Sequence, residues 1–259
     1  MAATGVVGLL ASEEDAEVVV VPGASSSTPS RHPYVAVFDP LDGSSNVAAC
    51  IPTGTIWGLH QGTATPPSLA DALAPASSLV ASGYALYSSS TLLVLSTGGD
   101  RGTHGFTLDP ATGAWLLSHP AIRAPRRGQI YSLNDARYAD WPPPLRAYID
   151  AVRSGRGQSG KQYAARYVCS LVADLHRTLL YGGWAGNPRP HLRRVYECGP
   201  LAHLTVAAGG AATDGVGEVV AATPASLHER APFFAGSADD VAELLTYGDV
   251  RQGAKKYDV

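Results

Sequence analysis

The chain has 259 residues, a formal net charge of −3 and 45% hydrophobic residues, and Gly and Pro together make up a little over one residue in six. These values exclude a disordered or collagen-like chain and an overall basic surface for nucleic acid. No apolar run reaches the ~18 residues of a membrane span, and the first ten residues lack the basic start of a secretory signal. We therefore expect a cytoplasmic globular protein without nucleic-acid or membrane partners, or a chloroplast protein if the natural N-terminus is longer.

The first half of the chain predicts a sheet with antiparallel pairing. Short runs of β-branched and aromatic residues alternate there with turn residues such as Asp109-Pro110. The predicted strands are 17–21, 34–38, 55–59, 78–87, 91–95, 105–108 and 114–118. We expect the first of them to be buried, and Pro66–Pro75 to form one helical turn or two.

After about residue 130 the apolar spacing becomes helical. The predicted helices are 144–152, 161–181, 200–208 and a last one that opens at 237–240 with a capping-box-like acid and closes at Gly248. Tyr163, Tyr167, Leu171 and Leu175 lie at four-residue steps and are interpreted as a buried stripe of the long helix. Mixed elements in layers favour an α/β fold with two tightly joined lobes, 1–120 and 121–259.

The segment Asp39–Asn46 carries the strongest chemical signal. Asp39 and Asp42 follow an apolar strand and are turned by Pro40 and Gly43, so their carboxylates can converge on a hard cation such as Mg²⁺. The next residues offer backbone N–H groups and hydroxyls that suit a phosphate. The alternative is an Asp/Gly/Ser turn with local hydrogen bonds, which leaves the serine pair and the strand unexplained.

Two further acidic features and three cysteines stand out. Glu13-Glu14-Asp15 alone would be a solvated entry into a strand, whereas Glu197 lies in an apolar segment, where a charge needs a partner such as a metal. Cys50, Cys169 and Cys198 each lie in an apolar stretch and are expected to be buried free thiols.

With these segments, the chain resembles the fructose-1,6-bisphosphatase family, and among its members the class I, plant and algal-like enzymes. The matching blocks occur in the family's order between residues 9 and 247. They are Ser12–Asp15, Asp39–Asn46, Ala81–Ser90, Ile130–Asn134, Ala165–Tyr167, Val172–Gly183, Leu192–Cys198 and His228–Pro232.

The resemblance implies a layered α/β/α/β/α sugar-phosphatase fold and a role for individual positions. The metal ligands would be Glu13, Asp39, the Leu41 carbonyl, Asp42 and Glu197, and the catalytic acids would be Glu13 and Glu14. The cleaved phosphate would contact Gly43, Ser44 and Ser45, and the far phosphate would contact Asn134, Tyr138 and Tyr167. Arg166 would reach the site of a neighbouring subunit.

The resemblance also implies hydrolysis of the 1-phosphate of fructose 1,6-bisphosphate, in gluconeogenesis, the Calvin cycle or sucrose synthesis. The cofactor would be two or more Mg²⁺ per site, which Mn²⁺ could replace, and the assembly would be a homotetramer. The chain departs from the family at Ala48, Asn187 and His191, and it looks N-terminally short because only eleven residues precede Ser12. Two alternatives therefore stay open: a non-catalytic or weakly active relative that acts as a binding or assembly subunit, and a sedoheptulose-1,7-bisphosphatase.

Overall fold

The computed structural model describes residues 2–24, 32–99 and 102–253, and in these ranges the chain forms two sheets with helices packed on them. The strands of the first sheet are β1 Val7–Ser12, β2 Val19–Val20, β3 Tyr34–Asp42, β4 Thr53–Gln61, β5 Leu79–Tyr87, β6 Thr91–Ser96, β7 Thr103–Leu108 and β8 Trp115–Ile122. Their order is β2-β1-β3-β4-β5-β6-β7-β8. Only β1 and β3 pair in parallel; the other neighbours are antiparallel.

The second sheet comes from the second half of the chain. Its strands are β9 Ile130–Ser132, β10 Ala164–Ala165, β11 Trp184–Arg193, β12 Ala211–Thr213 and β13 Arg230–Gly236, in the order β10-β9-β11-β13-β12. The α-helices are α1 Leu69–Ala72, α2 Pro143–Arg153, α3 Leu171–Tyr181, α4 Gly199–Ala207 and α5 Ala238–Leu245. In this described part of the chain, none of the helices has the length and apolar character that crossing a membrane requires.

The predicted strands from residue 34 onward are confirmed, but the prediction at 17–21 is wrong in its burial. The strand there has two residues, Val19 and Val20, whose exposed fractions are 45% and 49% because it forms the outer edge of the sheet and pairs only with β1. The buried strand of this region is β1, which the sequence pattern did not reveal.

The predicted long helix over 161–181 is also wrong. Helix α3 begins after Ser170, whose hydroxyl accepts a hydrogen bond from the Ala173 N–H, and Cys169 just before it has a left-handed φ of 65°. A helix cannot continue through that conformation. The preceding residues instead form β10 beside β9, so Tyr163 and Tyr167 do not belong to a helical stripe.

Two further predictions are wrong: the side-chain cap of the last helix and the burial of two of the three thiols. Ser237 accepts a hydrogen bond from the Gly183 N–H instead of capping α5, and the Asp240 carboxylate accepts one from the Gly128 N–H. Cys198 is buried as expected, whereas Cys50 and Cys169 are exposed.

The hydrophobic core joins the two sheets into layers. Helices α3 and α4 lie between them: Leu175 and Leu201 belong to one cluster with Tyr84 of the first sheet and Phe233 of the second. Helices α2 and α5 cover the other face of the second sheet in a cluster that includes Trp184. The prediction of a mixed-sheet α/β fold is confirmed, while the boundary between the lobes at residues 120 and 121 stays a prediction.

The face of the first sheet that points away from α3 and α4 is also apolar. Leu93 pairs with Phe106, and Phe106 pairs with Leu117, so the three side chains lie side by side on that face. Leu117 is 54% exposed. Of the five layers α/β/α/β/α, the described residues thus form four.

We expect Gly183→Ala to lower the free energy of unfolding by about 3 kcal/mol or more. Gly183 has a left-handed φ of 88°, and a Cβ there would lie 2.0 Å from the Ile130 carbonyl oxygen in the second sheet. Urea unfolding measures the change. Gly217→Ala is the matched control, because a Cβ at Gly217 meets nothing within 4 Å; equal stability of the two variants would contradict the expectation.

Candidate active site

An acidic cluster forms where β3 ends. The residues Asp39 and Asp42 are three positions apart and would point to opposite faces of a regular strand. The register between β3 and β4 shifts between them, and this irregularity brings both carboxylates to one side. Glu197 joins them from a π-helical turn, Arg194–Cys198, and one carboxylate oxygen of each of the three acids lies within 4.8 Å of the other two.

Glu13 comes to the same place from the neighbouring strand. It follows β1, and its N–H donates to the Phe38 carbonyl of β3 at 3.2 Å. Its carboxylate lies 3.6 Å from the Arg193 guanidinium. The first acidic segment of the sequence and the strongest motif thus meet because β1 and β3 are adjacent and parallel.

Backbone and hydroxyl groups orient the three buried carboxylates. Asp39 accepts the Leu41 N–H at 2.8 Å, and Glu197 accepts the Arg193 N–H at 2.6 Å. Asp42 accepts the Val172 N–H at 2.8 Å and the Ser170 hydroxyl at 3.3 Å, which ties the cluster to the start of α3. Hydrogen bonds from these backbone N–H groups and from the Ser170 hydroxyl therefore hold the acids in place.

Burial of the cluster disfavours the ionised form of its carboxyl groups. Burial, followed by the charge of Glu13, raises the pKa of Asp39 to about 7, and burial raises the pKa of Asp42 to about 6. Burial, with Asp39 among the charges that add to it, raises the pKa of Glu197 to about 8. Carboxyl groups that resist ionisation because they are buried together fit a hard divalent cation, which would compensate their charge and which prefers oxygen ligands.

A turn with exposed donors follows the acidic cluster. Gly43 has a left-handed φ of 74° and precedes a 3₁₀ helix, Ser44–Ala49. The Asn46 side chain donates to the Cys169 carbonyl at 2.8 Å and fixes this turn against the entry to α3. Gly43, Ser44 and Ser45 line the cavity beside the acids, while Ala48 on the same helix is exposed.

One cavity of about 520 Å³ connects these groups, and it is large enough for a phosphorylated sugar. It brings together most of the residues that the sequence predicts, namely Glu13, Asp39, Leu41, Asp42, Gly43, Ser44, Ser45, Asn134, Tyr167 and Glu197. Asn187 and His191, where the chain departs from the family pattern, also line it. A neighbouring pocket of about 30 Å³, called the extension below, shares Asn134, Tyr167, Asn187 and Arg189 with the cavity.

Three predicted site residues do not line this cavity. Glu14 directly follows Glu13, but its side chain is exposed. Arg166 is exposed and donates to the Ala165 carbonyl at 2.9 Å. The Tyr138 hydroxyl donates to Asp150 of α2 at 2.7 Å, and its contact with the far phosphate stays a prediction.

The sequence pattern does not reveal two arginines at the end of the cavity that lies away from the acidic cluster. Arg189 lines both the cavity and its extension, and Arg137 lines the extension. The signal for Arg189 is its position between Pro188 and Pro190, since prolines cannot continue the hydrogen-bond ladder of a strand. The signal for Arg137 is its spacing of three residues from Asn134, which places both on one face of a 3₁₀ turn, but the sequence pattern does not predict that turn.

Comparisons with known proteins identify two family models that match this chain. A model described as "Fructose-1-6-bisphosphatase, N-terminal domain" matches residues 1–120, and one described as "Fructose-1-6-bisphosphatase, C-terminal domain" matches residues 124–249. A class 1 fructose-1,6-bisphosphatase of Nitratidesulfovibrio vulgaris is 44% identical over 94% of this chain and 74% of its own length.

Relatives from plants and a solved structure are similar as well. The cytosolic fructose-1,6-bisphosphatase of Arabidopsis thaliana is 42% identical over 94% of this chain and 71% of its own length, and a chloroplastic one of Brassica napus is 39% identical over 94% and 62%. The crystal structure of Leishmania major fructose-1,6-bisphosphatase in holo form superposes with a TM-score of 0.85 at 36% identity, over 96% of this chain and 79% of that one.

We expect the metal-free protein to lose stability as the pH rises from about 6.5 to about 8. In this range the folded chain binds more protons at Asp39 and Glu197 than the unfolded chain does, so its free energy of unfolding falls. Below pH 6.5 the lowered pKa values of buried histidines such as His60 and His176 act in the opposite direction. Because divalent cations compete with the carboxyl protons, Mg²⁺ should raise the melting temperature more near about pH 8.5 than near about pH 5.5.

Thermal unfolding with EDTA or MgCl₂ at both pH values measures this difference. In Glu197→Gln we expect the metal-free protein to be more stable at high pH and the Mg²⁺-dependent shift to be mostly lost. The same Mg²⁺ shift at both pH values, or an unchanged shift in the variant, would contradict a cation site at the acidic cluster.

Proposed function

The chain belongs to the fructose-1,6-bisphosphatase family and is a phosphatase, and from that premise we propose that it hydrolyses the 1-phosphate ester of fructose 1,6-bisphosphate in a Mg²⁺-dependent reaction. The products would be fructose 6-phosphate and inorganic phosphate. One observation carries this proposal: a buried acidic cluster and a turn of phosphate-binding donors face the same cavity.

The acidic end would hold the cations. Glu13, Asp39, the Leu41 carbonyl, Asp42 and Glu197 supply the oxygen ligands, and Mn²⁺ could replace Mg²⁺ there. When bound, the ions would polarise the phosphoryl group and compensate the charge that develops on its oxygens. Without them, four neighbouring carboxylates would repel a phosphate.

The chain's own groups would position the reacting phosphate and water. Gly43, Ser44 and Ser45 donate hydrogen bonds to the phosphoryl oxygens and place phosphorus beside the acidic cluster. A water oxygen forms the new bond to phosphorus while the bond from phosphorus to the C1 oxygen breaks, and the C1 oxygen takes up a proton from solvent to become the hydroxyl of the product. The family resemblance assigns the proton of the attacking water to Glu14, whose exposed side chain directly follows the cavity residue Glu13.

The wider setting of the reaction is part of the proposal. We propose a homo-oligomer, a tetramer by the family resemblance, and the exposed side chain of Arg166 supports its predicted role at a neighbouring subunit's site. The reaction would serve gluconeogenesis or sucrose synthesis in the cytosol, or the Calvin cycle in the chloroplast. Relatives of both locations occur.

We expect the purified chain to release phosphate from fructose 1,6-bisphosphate with MgCl₂ and not with EDTA. Asp42→Asn should lower kcat/KM roughly 100-fold or more, because it removes a ligand charge next to the transferred group. A malachite-green assay measures release, and sedoheptulose 1,7-bisphosphate in a parallel series identifies the preferred sugar.

Glu218→Gln is the matched control, since Glu218 is an exposed carboxylate and does not line the cavity. It should retain the activity of the parent chain. Release that is equal with Mg²⁺ and EDTA, or a rate in Asp42→Asn equal to that of Glu218→Gln, would overturn the proposed reaction.

A further inference from the structure

We propose that Arg189 and Arg137 bind the second phosphate group of the substrate. Their positively charged side chains would lie at the end of the cavity opposite the acidic cluster. The inference deepens the proposed function and rests on it. It concerns side chains outside the set that the family resemblance assigns to this phosphate, which is Asn134, Tyr138 and Tyr167.

A local break in strand β11 explains how Arg189 reaches the cavity. The pairing with β13 runs from Asn187 opposite Phe233 to Leu192 opposite Ala231, so four residues of β11 face a single residue of its partner. Two of the four are Pro188 and Pro190, which have no N–H to donate to the ladder. The segment therefore bulges out of the sheet, and the Arg189 N–H donates to the Asn187 side chain at 3.1 Å.

Arg137 reaches the same region from a different segment of the chain. It lies on the 3₁₀ helix Asp135–Asp140, directly after Asn134. Together with Arg189, Tyr167 and Asn187 it lines the extension of the cavity. The far end thus combines two guanidinium groups with amide and phenol groups that can donate hydrogen bonds.

The imidazole of His191 does not replace these arginines. Burial, together with the charges of Arg189, Arg230 and Arg193, lowers the pKa of His191 below its ordinary value of 6.5. The ring is therefore neutral at pH 7. Arginine stays charged at that pH and can bind a phosphate through two parallel N–H donors.

The cavity is consequently polarised, and this orients a ligand with two phosphates. The end with Glu13, Asp39, Asp42 and Glu197 accepts a phosphate only when cations compensate the carboxylates. The end with Arg137 and Arg189 accepts a phosphate without any metal. Binding at the far end would hold the sugar in one direction, with its other ester beside the acidic cluster.

The test separates the two ends by removing metal. Isothermal titration calorimetry of the full chain in EDTA with fructose 6-phosphate reports on the far end alone. We expect the parent chain to bind, and Arg189→Gln and Arg137→Gln each to weaken binding roughly tenfold or more, since each removes charge-assisted hydrogen bonds. Arg189→Lys should recover part of the loss.

Arg126→Gln is the matched control, because Arg126 is exposed, pairs with Asp239 and does not line the cavity. It should bind like the parent chain. Melting temperatures verify that every variant folds. If Arg189→Gln is unstable, the binding constant of Arg189→Lys provides the test at this position. No binding by the parent chain, or binding by the folded glutamine variants within about twofold of the control, would overturn the proposal.

Kinetics distinguish a failure of this inference from a failure of the proposed function. With Mg²⁺ we expect Arg189→Gln to raise KM for fructose 1,6-bisphosphate and to leave the hydrolysis of fructose 1-phosphate, which lacks the second phosphate, nearly unchanged. If the parent chain binds fructose 6-phosphate but hydrolyses neither ester, the function fails and the binding site stands. If the parent chain hydrolyses fructose 1,6-bisphosphate and activity falls in Arg166→Gln but not in Arg189→Gln or Arg137→Gln, the inference is contradicted and the proposed function is supported.

Discussion

The main constraint on this structure is the burial of three carboxyl groups at one place. Asp39, Asp42 and Glu197 are almost inaccessible and close enough to share one ion, and burial raises the pKa of all three. Such an arrangement lowers stability on its own. The scaffold keeps it through several independent constraints: the register shift at the end of β3, the π-helical turn that carries Glu197, and the donors at the start of α3.

The same constraints create the chemical contrast along the cavity. The bulge in β3 gathers negative charge at one end, and the proline-flanked bulge in β11 brings a positive charge to the other. Both are local interruptions of regular pairing within sheets that are otherwise continuous. The packing of α3 and α4 between the two sheets holds these interruptions on opposite walls of one space.

Much of this could be predicted from the sequence where the signal is local. The segment Asp39–Asn46 contains its carboxylates, its turn and its donors in eight consecutive residues, and runs of β-branched and aromatic residues between turn signals predict β3 to β8. Glu197 was detectable because a lone acid in an apolar run needs a partner. The apolar spacing over 161–181 predicts one long helix, but Cys169 adopts a left-handed conformation that a helix cannot continue through. The spacing of apolar residues carries no signal for that conformation. The pattern does not reveal strands β9 to β13 because their burial depends on tertiary packing. It does not reveal Arg137 either, because the 3₁₀ turn that places this residue near Asn134 has no signal of its own in the sequence.

Anomalous diffraction from crystals soaked in MnCl₂ tests whether the buried carboxylates hold the cations of a phosphatase, because manganese scatters anomalously and takes the same oxygen ligands as Mg²⁺. We expect a peak within coordination distance of Asp39, Asp42 and Glu197, and we expect it to be lost in crystals of Glu197→Gln. Full occupancy elsewhere, with no peak at these three carboxylates, would contradict this role of the carboxylates.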